Sequence, residues 1–322
     1  MKKMHKFGTG ILMGLFLLAA AWPASVTVQA DEAESADGVY EYEVLDDGTI
    51  MLTKYHGDGG AITFPDTVDS YYVSDVKRSL FNSGSDVPVS ISVNEGNEYF
   101  TVIDGALYKK DPMTLVCYPR GMEQTEFSVA EGTVKIGNGA FWWCKNLTSI
   151  SIPDTVTVLG DSSISNCQGL TEIAIPDSVV TIEDWALSSN TGITEITIPD
   201  SVTEFGREVF TCCKSLTTIH VSENQPVLSV RDSVLFNKDQ TTLLCYPAGL
   251  TAESYTIPES VTRIEKGAFR YCEALKTVII PDTVVELGNV VFESSDQVTL
   301  VAGENSSARN YADENGIPYV LQ

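Results

Sequence analysis

Leu147-Thr148-Ser149-Ile150-Ser151-Ile152-Pro153-Asp154 is the stretch that decides the fold, because its pattern returns 23 residues on at 170–177 and again at 193–200. The rest of each unit keeps the same phase: Val156, Val179 and Val202 align, as do Leu159, Ile182 and Phe205, and Ile164, Leu187 and Phe210. Self-similarity at a fixed period in the low twenties is the mark of a solenoid of short repeats. In each unit the two Ile (or equivalent) positions lie two apart and so point to one face of a strand. The Pro that follows cannot donate to a ladder and stops the strand, and the Asp and Ser or Thr after it form a turn. A unit of this length cannot close a core alone; stacked on its neighbours it buries a continuous apolar column.

Working outward, a second period of 128 residues appears. Leu107, Leu115, Cys117, Tyr118, Pro119, Gly121, Ile136, Ala140, Phe141 and Cys144 return as Leu235, Leu243, Cys245, Tyr246, Pro247, Gly249, Ile264, Ala268, Phe269 and Cys272. The chain is therefore a duplicated block of short repeats, each copy with a longer interlude at about 93–120 and 221–248. Each interlude reads as a hairpin, taken as an extruded ribbon on a rung of the solenoid spanning 59–300. Before it, Tyr40, Tyr42 and Val44 alternate up to Asp47-Gly48 and then Ile50 and Leu52, a hairpin signal; residues 38–58 are expected to cap the first rung. After it, Ala308, Tyr311 and Ala312 have helical spacing and Asn315-Gly316 marks a helix stop. Residues 301–322 are thus expected to cap the last rung with a helix and a strand. Residues 31–37 are acidic and small and read as a disordered lead-in.

Residues 1–30 carry Lys2, Lys3 and Lys6, an apolar run from Ile11 to Trp22, and small residues before position 31. That is the layout of a secretory signal peptide, with an uncleaved anchor as the alternative. No membrane insertion is expected after cleavage. The 322-residue chain has 20 Lys and Arg against 44 Asp and Glu, a net charge of -24; without residues 1–30 it becomes -27. Such a balance excludes a phosphate-backbone footprint, so no nucleic acid is expected, and it disfavours anionic bilayers.

The chemistry expected from the residues is sparse. His56 and His220 have no metal-ligand spacing to Cys or to each other, and phosphate loops, nucleophile elbows and zincin motifs are absent from the sequence. The reading is therefore no enzyme, no metal and no cofactor. The Asp ladder (Asp66, Asp154, Asp177, Asp200, Asp282) reads as turn capping. Of seven Cys, Cys144, Cys167, Cys213 and Cys272 share one repeat position and Cys117 and Cys245 another. An odd count in core phase predicts free thiols, with a Cys144–Cys167 bridge as the alternative. The candidate contact residues are the adjacent Trp142 and Trp143, of which at least one is expected at the surface. They are joined by the outward strand positions Glu172, Glu195, Thr197, Thr218, His220 and Thr277. These last, with Ser149, Ser151 and Ala174, make a flat, small, polar-acidic wall.

The unit Leu-x-x-Ile-x-Ile-Pro-Asp-Ser-Val-x-x-Ile-Gly-x-x-Ala-Phe-x-x-Cys, with interludes ending Tyr118-Pro119 and Tyr246-Pro247, resembles the BspA-like leucine-rich repeats of bacterial surface proteins. The likeness covers about 38–322. It implies a right-handed, elongated leucine-rich repeat solenoid, mainly β, with a parallel sheet and short turns, 3-10 or helical pieces on the other side. It also implies a secreted, extracellular or non-covalently surface-associated protein, some relatives being adhesins for host matrix or cell-surface proteins. A protein-binding or adhesion module is thus the expected function, with a monomer favoured. A carbohydrate-binding accessory protein and a structural envelope component without a ligand stand as alternatives. Asn190 and Ser295 depart from the repeat Cys, and Ala130 and Ser222 from the repeat Pro; these are expected to weaken their rungs.

Overall fold

Each 23-residue step of sequence becomes one turn of a mainly-β solenoid of about 11 turns. The computed structural model describes residues 32–77, 80–81 and 88–322, and the expected signal peptide lies outside the described residues. Two parallel rails run along the turns. The Leu-x-x-Ile halves form the first: Phe127 pairs with Ile150, Ile196 with Ile219, and Val278 with Leu300, all in parallel register. The Val-x-x-Ile halves form the second. Lys135–Ile136, Val158–Leu159, Thr181–Ile182 and Glu204–Phe205 are two-residue strands in register, as are Arg263–Ile264 and Glu286–Leu287. The third side holds turns, and the one helix among the described residues is Ser307–Asn315.

The turns of this third side repeat their backbone as well as their side chains. Gly139, Ser162, Trp185, Glu208, Gly267 and Val290 all have φ between 52° and 67°. Four residues on, Trp143, Asn166, Ser189, Cys212, Tyr271 and Ser294 are again left-handed, at 57–65°. Neighbouring turns are tied by backbone bonds, such as Phe141 N donating to Ser163 O at 2.8 Å and Ile164 N to Ala186 O at 2.9 Å. The repeat positions face inward as the period requires. Leu147, Leu170, Ile193 and Leu216, and Ile150, Ile173, Ile196 and Ile219, are at most 8% exposed. Burying each such side chain is worth about 1.5–3 kcal/mol.

The interludes differ from the expected ribbon. Each is a three-stranded antiparallel meander: Phe100–Ile103, Ala106–Lys109 and Thr114–Cys117 in the first, and Leu228–Arg231, Val234–Asn237 and Thr242–Cys245 in the second. Nothing is extruded, because the middle strand is apolar on both faces: Ala106, Leu107 and Tyr108, and Val234, Leu235 and Phe236, are all fully buried. Alternation sends Leu107 into the first core and Ala106 and Tyr108 into the second. In the same way Leu235 enters the second core and Val234 and Phe236 the third. The meander is a wall between cores. The overlooked strands were signalled by Asp104-Gly105 and Asp232-Ser233, whose φ values (50°, 84° and 51°, 66°) are those of tight hairpin turns.

Ala33–Glu34, inside the stretch read as a disordered lead-in, pairs antiparallel with Tyr42 and Glu41. It is held by the buried Ser35, whose hydroxyl accepts from Val39 N and Tyr40 N. The hairpin Tyr40–Val44 and Ile50–Tyr55 turns at Gly48, φ 81°. At the other end the helix is capped by Ser306 and Gly316, and Tyr319–Leu321 pairs parallel with Thr299–Ala302.

The repeat cysteine slot corrects a second expectation. The side chain there donates to the carbonyl 26 residues earlier: Cys167 Sγ to Phe141 O at 3.0 Å, Cys213 Sγ to Leu187 O at 3.3 Å, Asn190 Nδ2 to Ile164 O at 2.7 Å and Ser295 Oγ to Phe269 O at 2.6 Å. Asn190 and Ser295 also accept from Cys167 N and Cys272 N, each at 2.9 Å. Asn190 and Ser295 thus make the carbonyl bond of the slot and accept a backbone N–H as well, where the sequence predicted a weakened rung. All seven cysteines are free thiols.

Two outcomes follow. Asn190→Ala strands the Cys167 N–H and two carbonyls and should lower stability by about 3 kcal/mol, whereas Asn190→Ser should cost far less; urea midpoints that coincide for the two would refute the slot's role. Burial also pushes the Cys167 and Cys213 thiols from 9.0 up to about 12. The folded chain therefore keeps protons that the unfolded chain loses above pH 9, so this part of its stability is present below pH 9 and lost as pH rises towards 12. The loss should shrink in the Cys167→Ser/Cys213→Ser protein, measured by urea unfolding at pH 8, 9 and 10.

Candidate partner-binding surfaces

The outward row on the first rail gathers four of the eight candidates. Glu195–Ile198 and Thr218–Val221 pair in register, placing Glu195 opposite Thr218 and Thr197 opposite His220. Ile196, Ile198 and Ile219 point in and are buried, which is why their neighbours point out. His220 Nε2 stands 3.5 Å from Glu195 Oε2, with about half or more of each side chain in water. Below them Ser222 Oγ donates to Asp200 Oδ1 at 2.6 Å, and Pro199 closes a shallow depression. The surface offers short side chains, the carboxylates of Glu195, Asp200 and Asp177, and one imidazole.

The other candidates are placed elsewhere. Glu172 is exposed one turn before Glu195, but residues 172–174 form no strand, which interrupts the row. Thr277 is half-buried in a separate four-stranded sheet, between Ser254 and Thr299. Trp142 and Trp143 lie on the turn side. Their rings are 5.5 Å apart; Trp142 is half-buried and Trp143 is 38% exposed. Arg120 lies 5.7 Å from the Trp142 ring and Lys145 Nζ 4.2 Å from the Trp143 ring. The structure thus splits the sequence-predicted set into a strand wall and a turn edge.

Sequence reasoning missed Arg120 and Lys145, and it missed a buried ionic cluster. Glu208, its side chain 1% exposed, sits 2.9 Å from Lys266 Nζ and 3.6 Å from Arg270, and accepts from Trp185 Nε1 at 2.9 Å. The signal was available: a glutamate fills the left-handed phase that Gly139, Ser162 and Gly267 share. The cluster ties the turn of Glu208 to that of Gly267 across the second interlude. Among the described residues no group of three His, Cys, Asp or Glu is arranged to hold a metal.

A family model described as the BspA type leucine-rich repeat region matches residues 134–252 and 244–310 in six copies. The chain belongs to the BspA-type leucine-rich repeat family. This BspA-type chain is similar over 84% of its length to a leucine-rich cell surface protein of Faecalibacterium prausnitzii A2-165, at 26% identity and TM-score 0.50, covering 76% of that chain. The pneumococcal vaccine antigen PcpA shares the fold, at 19% identity and TM-score 0.51, over 84% of this chain and 70% of that one. No curated protein sequence matches it.

Removing the buried carboxylate should be costly because Lys266 then loses its partner and Arg270 keeps only Glu293. Glu208→Gln should lower stability by about 2 kcal/mol, less than a fully buried pair because Lys266 keeps 39% of its side chain exposed. Adding Lys266→Met should recover part of the loss; a Glu208→Gln chain with the wild-type urea midpoint would contradict the clamp.

Proposed function

We propose that the chain is an exported, surface-held binding module that contacts a host matrix or cell-surface protein through the strand wall at Glu195, Thr197, Thr218 and His220. Glu172 and Thr277 stand at its margins. The observation that carries the reading is the in-register row of short outward side chains on a backbone fixed by its neighbours. Such a face meets a partner by shape and hydrogen bonding and loses little side-chain entropy on contact. The likeness to the Faecalibacterium cell surface protein supports placement outside the cell, as does the basic-apolar-small layout of residues 1–30. No helix among the described residues is long and apolar enough to cross a membrane.

A panel of purified extracellular-matrix proteins tests the proposal by biolayer interferometry. At least one should bind, and Thr197→Arg/Thr218→Arg, which crowds the row without touching the core, should weaken that binding at least tenfold. Silence across the panel, or equal affinity of the variant, would remove the reading.

A further inference from the structure

The turn edge carries a feature that neither the family nor the strand wall accounts for. Over four consecutive turns, residues 142–148, 165–171, 188–194 and 211–217 form one strip on which Trp143, Asn166, Ser189 and Cys212 share a phase. The turns are adjacent in space: Trp143 N donates to Ser165 O, Asn166 N to Ser188 O and Ser189 N to Thr211 O. These 28 residues contain no Asp or Glu and two Lys, in a chain with 44 acids against 20 bases. Glu172 and Glu195 adjoin the strip beside Thr171 and Thr194, and at its far end Glu273 pairs with Lys214 at 2.7 Å, so the free positive charge lies at the other end.

At the head of the strip stand the two indoles with their cations. Most described Lys and Arg side chains pair with carboxylates, but Lys145 and Arg120 face indoles, and Arg120 additionally donates to Phe81 O at 2.7 Å. Among the described residues, neither forms an ion pair with an acid. Trp143 is also out of place on stability grounds. A bulky residue at φ 65° is strained, and its phase neighbours are mostly small or polar. A strained aromatic left 38% exposed marks a contact site. One turn on, Gln168 Nε2 donates to Asn166 Oδ1 at 3.1 Å, so a pair of amides follows the indoles; Ser189 and Thr191 supply hydroxyls on the next.

We infer that this strip binds an acidic polysaccharide laid along the solenoid. The indoles offer flat apolar faces to sugar rings, Lys145 and Arg120 pair with carboxylate or sulfate groups, and the amides and hydroxyls meet sugar hydroxyls. At the spacing of adjacent strands the strip is about 14 Å long, a run of several sugar units rather than a single one. The chain as a whole repels polyanions, so a strip headed by cations that rest on indoles is where such a ligand can approach. The inference goes beyond the strand-wall reading and does not depend on it, since the two surfaces share no residue.

The test uses the purified full chain with heparin and polygalacturonate as sulfated and carboxylated probes, and dextran and poly-L-glutamate as controls. Binding to at least one acidic glycan is expected, with neither control bound. Trp143→Asn places the next turn's own residue in the left-handed position, so it should fold with an unchanged urea midpoint. It and Lys145→Glu should each weaken glycan binding at least tenfold, while the charge-neutral Thr197→Ala/Thr218→Ala leaves it unchanged. Failure of both glycans, equal capture of dextran or of poly-L-glutamate, or wild-type affinity in both variants would overturn the inference. Binding of poly-L-glutamate alone would assign the strip to acidic peptides instead.

Discussion

Each turn of this molecule can satisfy the backbone of its strands only through the turns beside it. A loop of 23 residues has room for a two-residue strand, a three- or four-residue strand and a set of tight bends; the bends close a few bonds of their own, such as Val156 N to Pro153 O, but the strands close none within themselves. The ladders therefore run along the stack: Gly160 N to Ile136 O, Thr217 N to Thr194 O, Trp185 N to Arg207 O. Side chains obey the same rule. The polar slot held by Cys, Asn or Ser reaches a carbonyl of the preceding turn, and Glu208 reaches the following one. Short-range sequence periodicity is thus the only grammar available to a core that must be continuous.

The sequence disclosed most of that grammar. Ile150, Ile173, Ile196 and Ile219 announce the buried side of the first rail, and the turn at Gly48 announces the first hairpin. What it hid follows from chemistry that residue type alone does not display. Cys167 and Cys213 look apolar in a sequence, so Asn190 in their phase looks like damage until the carbonyl it serves is seen. The extra strands at Phe100–Ile103 and Leu228–Arg231 were obscured because the interludes break the 23-residue period, although their turn residues were present. Of the candidate surface, the strand positions could be read from alternation. The company kept by Trp142 and Trp143 could not, since Arg120 arrives from the interlude.

The two outer surfaces differ in electrostatic character although they lie on the same turns. The strand wall carries Glu195 and, one turn earlier, Glu172. The turn edge leaves two cations resting on indoles. A strongly acidic chain can in this way be soluble and self-repelling in bulk while keeping one narrow track of opposite preference. Stacking equal turns is what allows such a track, because the same phase of every turn faces the same edge.

The middle strands of the meanders, buried on both faces, give the stack bulkheads. Pulled or digested from one end, the coil can fray through the turns of a single compartment. To go further it must then break a strand that holds two apolar chambers shut at once. Damage is contained by design of the chain order, and mechanical extension would proceed in a few unequal steps instead of one continuous unravelling.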